Sequence, residues 1–184
     1  MEGAARGPAR QRVQSDRMLI RDESADDSAA VHSLNVAAFQ TPAEADLILA
    51  LRQVARPLVS LVAEADGTIV GHIMFTPVAL SGHPDRRMMG LGPMAVAPAH
   101  QRRGIGSELV RAGLERCRQL GYGAVAVLGH AAYYPRFGFT PSSGFKIDCE
   151  YDVPPEVFMV VELQRNYLYG ASGTIKYHPA FAGV

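Results

Sequence analysis

The spacing of apolar positions shifts along the chain, and each shift marks an element. Residues 18–21 read as a short strand. Ala30, Val31, Leu34 and Ala38 then recur in steps of one to four, on one face of a helix. Ser24 followed by Asp27 resembles a capping box with Asp in place of Glu, so this helix is expected to open at Ser24 and run to Phe39. A second helix is expected over residues 43–52, with Leu47, Leu51 and Val54 on one stripe and Pro57 as its stop. After that the period falls toward two. "SLVAEADGTIVGHIMFTPV" reads as two strands joined at Asp66-Gly67, a dipeptide suited to a tight hairpin turn.

"MMGLGPMAVAP" (88–98) predicts another strand, interrupted by Gly92 and Pro93. Proline has no N–H for a ladder and glycine no side chain to pack, so this strand is expected to bulge or splay there. A helix over 104–120 follows, with Ile105, Leu109, Gly113 and Cys117 spaced for burial and Gly121 as its C-cap. "AVAVL" (124–128) is a short buried strand, "FMVVEL" (158–163) the last clear one, and a further short strand is expected near 145–147. The order describes a mixed α/β domain with one strand–helix–strand crossover at its centre.

Composition narrows the classes. A chain of 184 residues fits one domain, and 48% apolar with 20% charged residues is ordinary for a soluble globular protein. Eighteen basic residues balance eighteen acidic ones, which argues against general nucleic-acid binding but leaves room for a local basic patch. No apolar run reaches the ~18 residues of a membrane span. Cys117 and Cys149 form no CxxC pair, so reduced thiols in a cytoplasmic protein are expected, and no metal site. Residues 1–17 lack the apolar stretch of a secretory signal and read as a disordered tail.

One stretch carries candidate chemistry. In "PAHQRRGIGSELV" (98–110) two arginines and two glycines stand where the central helix begins. A helix N-terminus presents unpaired N–H groups and about half a positive charge. Gly104 and Gly106 remove side chains from that surface, and Arg102 and Arg103 add formal charge beside it, so a phosphate group fits. The plainer reading is a tight turn with solvated arginines. The stretch is neither GxxxxGK[ST] nor GxGxxG, because the last position of the second pattern is Leu109.

"LGPMAVAPAHQRRGIGSELV" resembles motif A of the GCN5-related N-acetyltransferase (GNAT) superfamily, with Gln101-Arg102-Arg103-Gly104-Ile105-Gly106 as its Q/R-x-x-G-x-G/A. "YYPRFGF" resembles motif B through Tyr134, Arg136, Gly138 and Phe139. The likeness spans roughly residues 18–165 and is nearest to a bacterial branch with unassigned substrates. It implies a mostly antiparallel sheet, splayed at its central parallel pair, with helices on both faces. It also implies an acetyl-CoA-dependent N-acetyltransferase. The backbone of Met94, Ala95 and Val96 would pair with the pantetheine arm of acetyl-CoA, and one of their N–H groups would polarise the thioester carbonyl. Gln101, Arg102, Arg103, Gly104, Ile105, Gly106 and Ser107 would wrap the diphosphate.

The resemblance gives Tyr134 the role of general acid or hydrogen-bond donor to the leaving thiolate. Full transfer from an ordinary phenol to an ordinary thiolate is uphill by roughly 2 kcal/mol, so either the site lowers the Tyr134 pKa or the hydroxyl acts by hydrogen bonding. Pro135 disfavours helical geometry at Tyr134 and leaves its hydroxyl's position open. The plainer reading packs Tyr133, Tyr134, Phe137 and Phe139 together as a core aromatic cluster, and it is preferred for the two phenylalanines. Glu64, His72 and His130 are candidate bases, beside a water relay, and none is assigned. His72 reads more simply as a half-buried strand histidine.

The acceptor pocket is expected from the two early helices, the hairpin and the C-terminal segment. A small-molecule amine, a peptide N-terminus and a lysine side chain all stay open; Glu44 and Asp46 could attract a cationic amine, though acids on a helix surface are more simply read as solvated. Residues 166–184 are expected to pack back through Tyr167, Tyr177 and Phe181, or to help form a homodimer. The competing function is a non-catalytic acyl-CoA-binding sensor or regulatory domain.

Overall fold

The computed structural model describes residues 18–183, so the expectation for residues 1–17 lies outside the described residues. β1 (Met18–Asp22) leads through a 3-10 turn, Ala25–Asp27, into α1 (Ser28–Phe39) and α2 (Ala43–Val54). Next come β2 (Val59–Ala65), β3 (Thr68–Leu80) and β4 (Met88–Val96), then α3 (Ile105–Gln119) and β5 (Ala124–Leu128). β6 (Thr140–Pro141), β7 (Ile147–Cys149), β8 (Phe158–Glu162) and β9 (Gly173–Lys176) complete the described strands. The capping box at Ser24 and Asp27 is present, but it opens the 3-10 turn, and the α-helix proper starts at Ser28. The hairpin at Asp66-Gly67 is formed, with Asp66 at φ 48° and Gly67 at φ 79°.

The strands stand in the order β1-β2-β3-β4-β5-β8-β6, and β9 pairs with both β3 and β7. Neighbours run antiparallel except β4 with β5 and β7 with β9. Side chains alternate between the faces as a pleat requires. Leu61, Ile73, Phe75, Val125 and Val127 meet α3, whereas Val62 and Met74 meet α1 and α2. All four positions of the α3 stripe foreseen from spacing are buried. No helix among the described residues is long and apolar enough to cross a membrane.

Two expectations need correction. "FMVVEL" is not the last strand, since β9 follows and extends the ladder from β3, with Ala79 opposite Lys176. Four residues with a glycine at one end and a lysine at the other carry no alternation to read. Tyr134 is helical despite Pro135: it opens a 3-10 turn, Tyr134–Phe137. Proline is tolerated in a first turn, where its missing N–H has no partner to lose. The turn is anchored by the Tyr133 N–H donating to the His130 carbonyl at 2.9 Å and closed by the Gly138 N–H donating to the Pro135 carbonyl at 3.0 Å.

Candidate active site

The site begins with an error in a strand. β4 pairs with β3 as Leu91 opposite Phe75 and then Met94 opposite Ile73, so Gly92 and Pro93 share the place opposite Met74. Two residues against one bend the strand. On its other edge β4 pairs with β5 from Met88 opposite Ala124 to Leu91 opposite Val127, and the pairing ends there. Past the bulge, residues 92–96 keep β3 as neighbour but have no strand on the β5 side among the described residues.

α3 enters this gap. Its N-cap is Gly104 at φ 86°, preceded by Arg102 at φ 62°. These two left-handed residues turn the chain from strand end to helix start, a conformation that favours glycine. The Gln101 side-chain amide donates to the Val96 carbonyl at 3.1 Å and ties the loop to the strand it left. The first backbone bond of the helix runs from the Glu108 N–H to the Gly104 carbonyl, so the amides before it point out of the helix end. Arg102 and Arg103 form no ion pair among the described residues.

A cavity of about 710 Å³ lies over this helix end. Of the residues foreseen, Met94, Val96, Gln101, Arg102, Gly104, Ile105, Gly106, Ser107 and Tyr134 line it, together with His100, His130, Tyr133 and Arg136. Ala95 does not, because alternation turns its side chain to the opposite face of β4; Arg103 is exposed outside the wall. A Cβ on Gly106 would lie 3.0 Å from the Tyr133 Oη and 3.7 Å from the Met94 Cε, so it would stand inside the cradle. Tyr133 therefore does more than pack. Its hydroxyl is 3.5 Å from the Ser107 Oγ, and the Arg136 guanidinium lies 4.6 Å from its ring centre. Only folding brings His100, Tyr133 and Arg136 over the helix end.

Tyr134 is 7% exposed, wedged edge-on between Tyr133 at 5.1 Å and Phe139 at 5.6 Å between ring centres. Gly129 lets the ring come close: a Cβ there would sit 2.3 Å from the Tyr134 Cε2. Burial, with the neighbouring Tyr133, pushes the phenol up to about 12. It is therefore protonated throughout the neutral range.

A second cavity, about 620 Å³, adjoins the first. It is bounded by the end of α1 (Phe39), by α2 (Glu44, Leu47), by the splayed stretch 91–94, by 128–130 and by Tyr151, Val153, Tyr177 and Phe181. The early helices and the C-terminal segment contribute as expected; the β2–β3 hairpin does not. Glu44, read from sequence either as a solvated acid or as a lure for a cationic amine, faces this space. Met94, His130 and Tyr134 line both cavities.

The other candidate bases stand elsewhere. Glu64 receives the Arg21 Nε–H at 2.8 Å. His72 is fully buried rather than half-buried, with its Nε2 2.9 Å from the Ser60 Oγ. The Ser60 hydroxyl donates its one proton to Glu23, so His72 donates to Ser60 and leaves Nδ1 without a partner among the described residues. Burial keeps His72 below its ordinary range. Burial disfavours an ionised Glu23, but hydrogen bonds from its neighbours and the Arg52 charge outweigh it and hold Glu23 low. Burial pushes the Cys117 thiol up to about 12, far from a nucleophile's range.

Comparison with known proteins places the chain that carries this site. The profile of the acetyltransferase (GNAT) family matches residues 24–139, and the chain belongs to that family. It is thus an acyl-group transferase by class. The uncharacterized N-acetyltransferase YjhQ of Escherichia coli K12 is 42% identical over 141 residues, covering 74% of this chain and 77% of that protein. YhbS, an uncharacterized N-acetyltransferase of the same strain, is 34% identical over 165 residues, covering 89% and 98%. The crystal structure of E. coli YhbS in complex with CoA superposes with a TM-score of 0.87 at 32% identity, covering 93% of this chain and 95% of that one. A GNAT family acetyltransferase from Brucella melitensis, in complex with acetyl-CoA, gives a TM-score of 0.75 at 34% identity, covering 91% and 99%.

Proposed function

We propose that this protein moves an acetyl group from acetyl-CoA to a primary amine by direct attack. The observation that carries the reading is the junction: Met94, His130 and Tyr134 belong to the walls of both cavities, so a donor in one meets an acceptor in the other beside a buried phenol. The complexes of YhbS with CoA and of the Brucella protein with acetyl-CoA support placing the coenzyme on this side.

Residues 101–107 would hold the diphosphate, since the cavity offers unpaired amides, a guanidinium free of carboxylates and a glycine where a Cβ would intrude. Each amide bonded to an ionised oxygen contributes roughly 1.5–3 kcal/mol. The open edge of 92–96 would receive the pantetheine amides as a partner strand, and an N–H of Met94–Val96 would face the thioester oxygen. Acetyl-CoA supplies an activated acyl group. The amine, having shed one proton to water, forms the new N–C bond; the C–S bond breaks, sulfur leaves with the electron pair, and the nitrogen's surplus proton departs.

Tyr134 acts on the leaving sulfur. With its phenol near 12 and a thiol near ~8.5, complete transfer is uphill by roughly 5 kcal/mol. The hydroxyl therefore serves as a hydrogen-bond donor to the thiolate, which takes its proton from solvent. Such a bond contributes about 1.5–3 kcal/mol, or about 10- to 150-fold in rate.

The test is CoA thiol release on addition of amines. Amine-dependent release that falls at least tenfold in Tyr134→Phe is expected. Coenzyme binding without turnover of any amine, insensitive to Tyr134→Phe, would mark a binding domain instead.

A further inference from the structure

Resting on the acetyl transfer proposed above, we infer that the second cavity takes a small monoamine with an apolar, ring-bearing body, drawn in by Glu44. Three features of the wall point to this class.

Its surface is mostly hydrocarbon and aromatic. Phe39, Tyr151, Tyr177 and Phe181 stand around it, with Leu47 and Val153 between. Small-molecule sites combine such walls with a few polar groups that orient the ligand. The aromatic side is preformed. The ring centres of Tyr177 and Phe181 are 5.4 Å apart, and those of Tyr151 and Tyr177 5.8 Å. The Tyr177 ring is seated on Gly90, where a Cβ would lie 2.9 Å from its Cε1, so the missing side chain at 90 is what lets the ring lie against β4.

Charge selects the number of amino groups. Glu44 is the one carboxylate of the lining, and no lysine or arginine accompanies it. Its Oε2 receives the Thr41 hydroxyl at 2.9 Å and pairs with no cation among the described residues. One fixed negative charge suits one ammonium, whereas a polyamine would bring its second charge against hydrocarbon. Burying an unpaired charge is costly. Glu44 would recruit the amine in its ammonium form.

The C-terminal stretch selects the acceptor's size. Residues 177–181 return across the middle of β4, with Tyr177 against Gly90 and Phe181 against Gly92, and Phe181 packs on the cluster formed by α1, α2 and Met74. They wall one side of a cavity of about 620 Å³, a volume within the range of small-molecule sites. A free small molecule fits between these walls.

The experiment compares kcat/KM for phenethylamine, ethanolamine, spermidine and a lysine-containing peptide by CoA release, with acetyl-CoA binding measured separately by calorimetry. Phenethylamine is expected to exceed each of the others by about tenfold or more. Glu44→Gln is expected to raise the phenethylamine KM several-fold and abolish its dependence on ionic strength, leaving the acetyl-CoA KM unchanged. Phe181→Ala is expected to raise KM for phenethylamine but not for ethanolamine. A better rate with spermidine, ethanolamine or the peptide overturns the inference, as does a protein that binds acetyl-CoA yet turns over no phenethylamine. Failure to bind acetyl-CoA would sink the donor assignment itself, and this inference with it.

Discussion

Gly129→Ala adds one methyl group where the Tyr134 ring already lies. The new Cβ would stand 2.3 Å from Cε2, 3.0 Å from Cδ2 and 3.3 Å from Cζ. Carbon atoms rest at about 3.5 Å or more, so the ring must retreat by about 1.2 Å. The ring cannot retreat freely, because Tyr133 and Phe139 hold its edges. The hydroxyl shifts with it. A displacement near 1 Å at a reacting centre costs on the order of 100-fold in kcat. Overpacking also costs about 1–3 kcal/mol of stability, which lowers Tm by about 2–4 °C for each kcal/mol in a chain of this size. Steady-state CoA release gives kcat, and a thermal melt gives Tm. The double variant with Tyr134→Phe separates the two effects. Once the hydroxyl is gone, moving the ring should change kcat by no more than about threefold, although Tm still falls. A Gly129→Ala enzyme with full kcat, or a double variant showing the product of both losses, would refute the donor role of Tyr134.

Other outcomes follow from the same geometry. Because the Tyr134 phenol is pushed up to about 12, kcat should show no fall between about pH 8 and 10, and should rise there as the amine sheds its proton; a fall centred near 10 in the pH–rate profile would contradict this. Arg102→Gln removes a positive charge from the helix end and should raise the acetyl-CoA KM about tenfold, with less salt dependence than the parent enzyme. His72 and Glu23 are both held below their ordinary ranges in the folded state, so the unfolded chain binds the extra protons. Their stabilisation is therefore present above the unfolded values and lost as pH falls, first for His72 below about 6.5 and then for Glu23 below about 4.3. A Tm that is flat from pH 7 to 5 in the parent protein would count against the buried neutral histidine.

The parts of the site that lie close together in sequence were legible there. Gly92-Pro93 announces the strand's irregularity because proline and glycine fail a ladder for reasons independent of tertiary context, and the bulge opposite Met74 stands at that place. The α3 stripe and the Gly104 turn are likewise local. What escaped depends on chain segments far apart. Tyr133 looks like a core aromatic until folding sets its hydroxyl above Gly106 and Ser107. Glu44 is one of two acids on α2, and the return of residues 177–181 helps make a cavity for it to face. His72 finds Glu23 and Ser60 across two strands, a pairing that no spacing within β3 encodes. Ala95 and Arg103 mark a distinction a motif does not draw: it names consecutive residues, whereas the pleat and the turn send these two side chains away from the cavity and leave Ala95 only its backbone to offer.

The central claim is that the amides and the missing side chain at the start of α3 seat the diphosphate of coenzyme A. Calorimetric titration of CoA into the parent protein and into Gly106→Val tests it most directly, because a side chain at 106 would project toward Tyr133, Met94 and Val96 inside the cradle. Saturable heat from the parent protein and none from a Gly106→Val variant that melts cooperatively is the expected result. Equal binding by both proteins, or by neither, would contradict it.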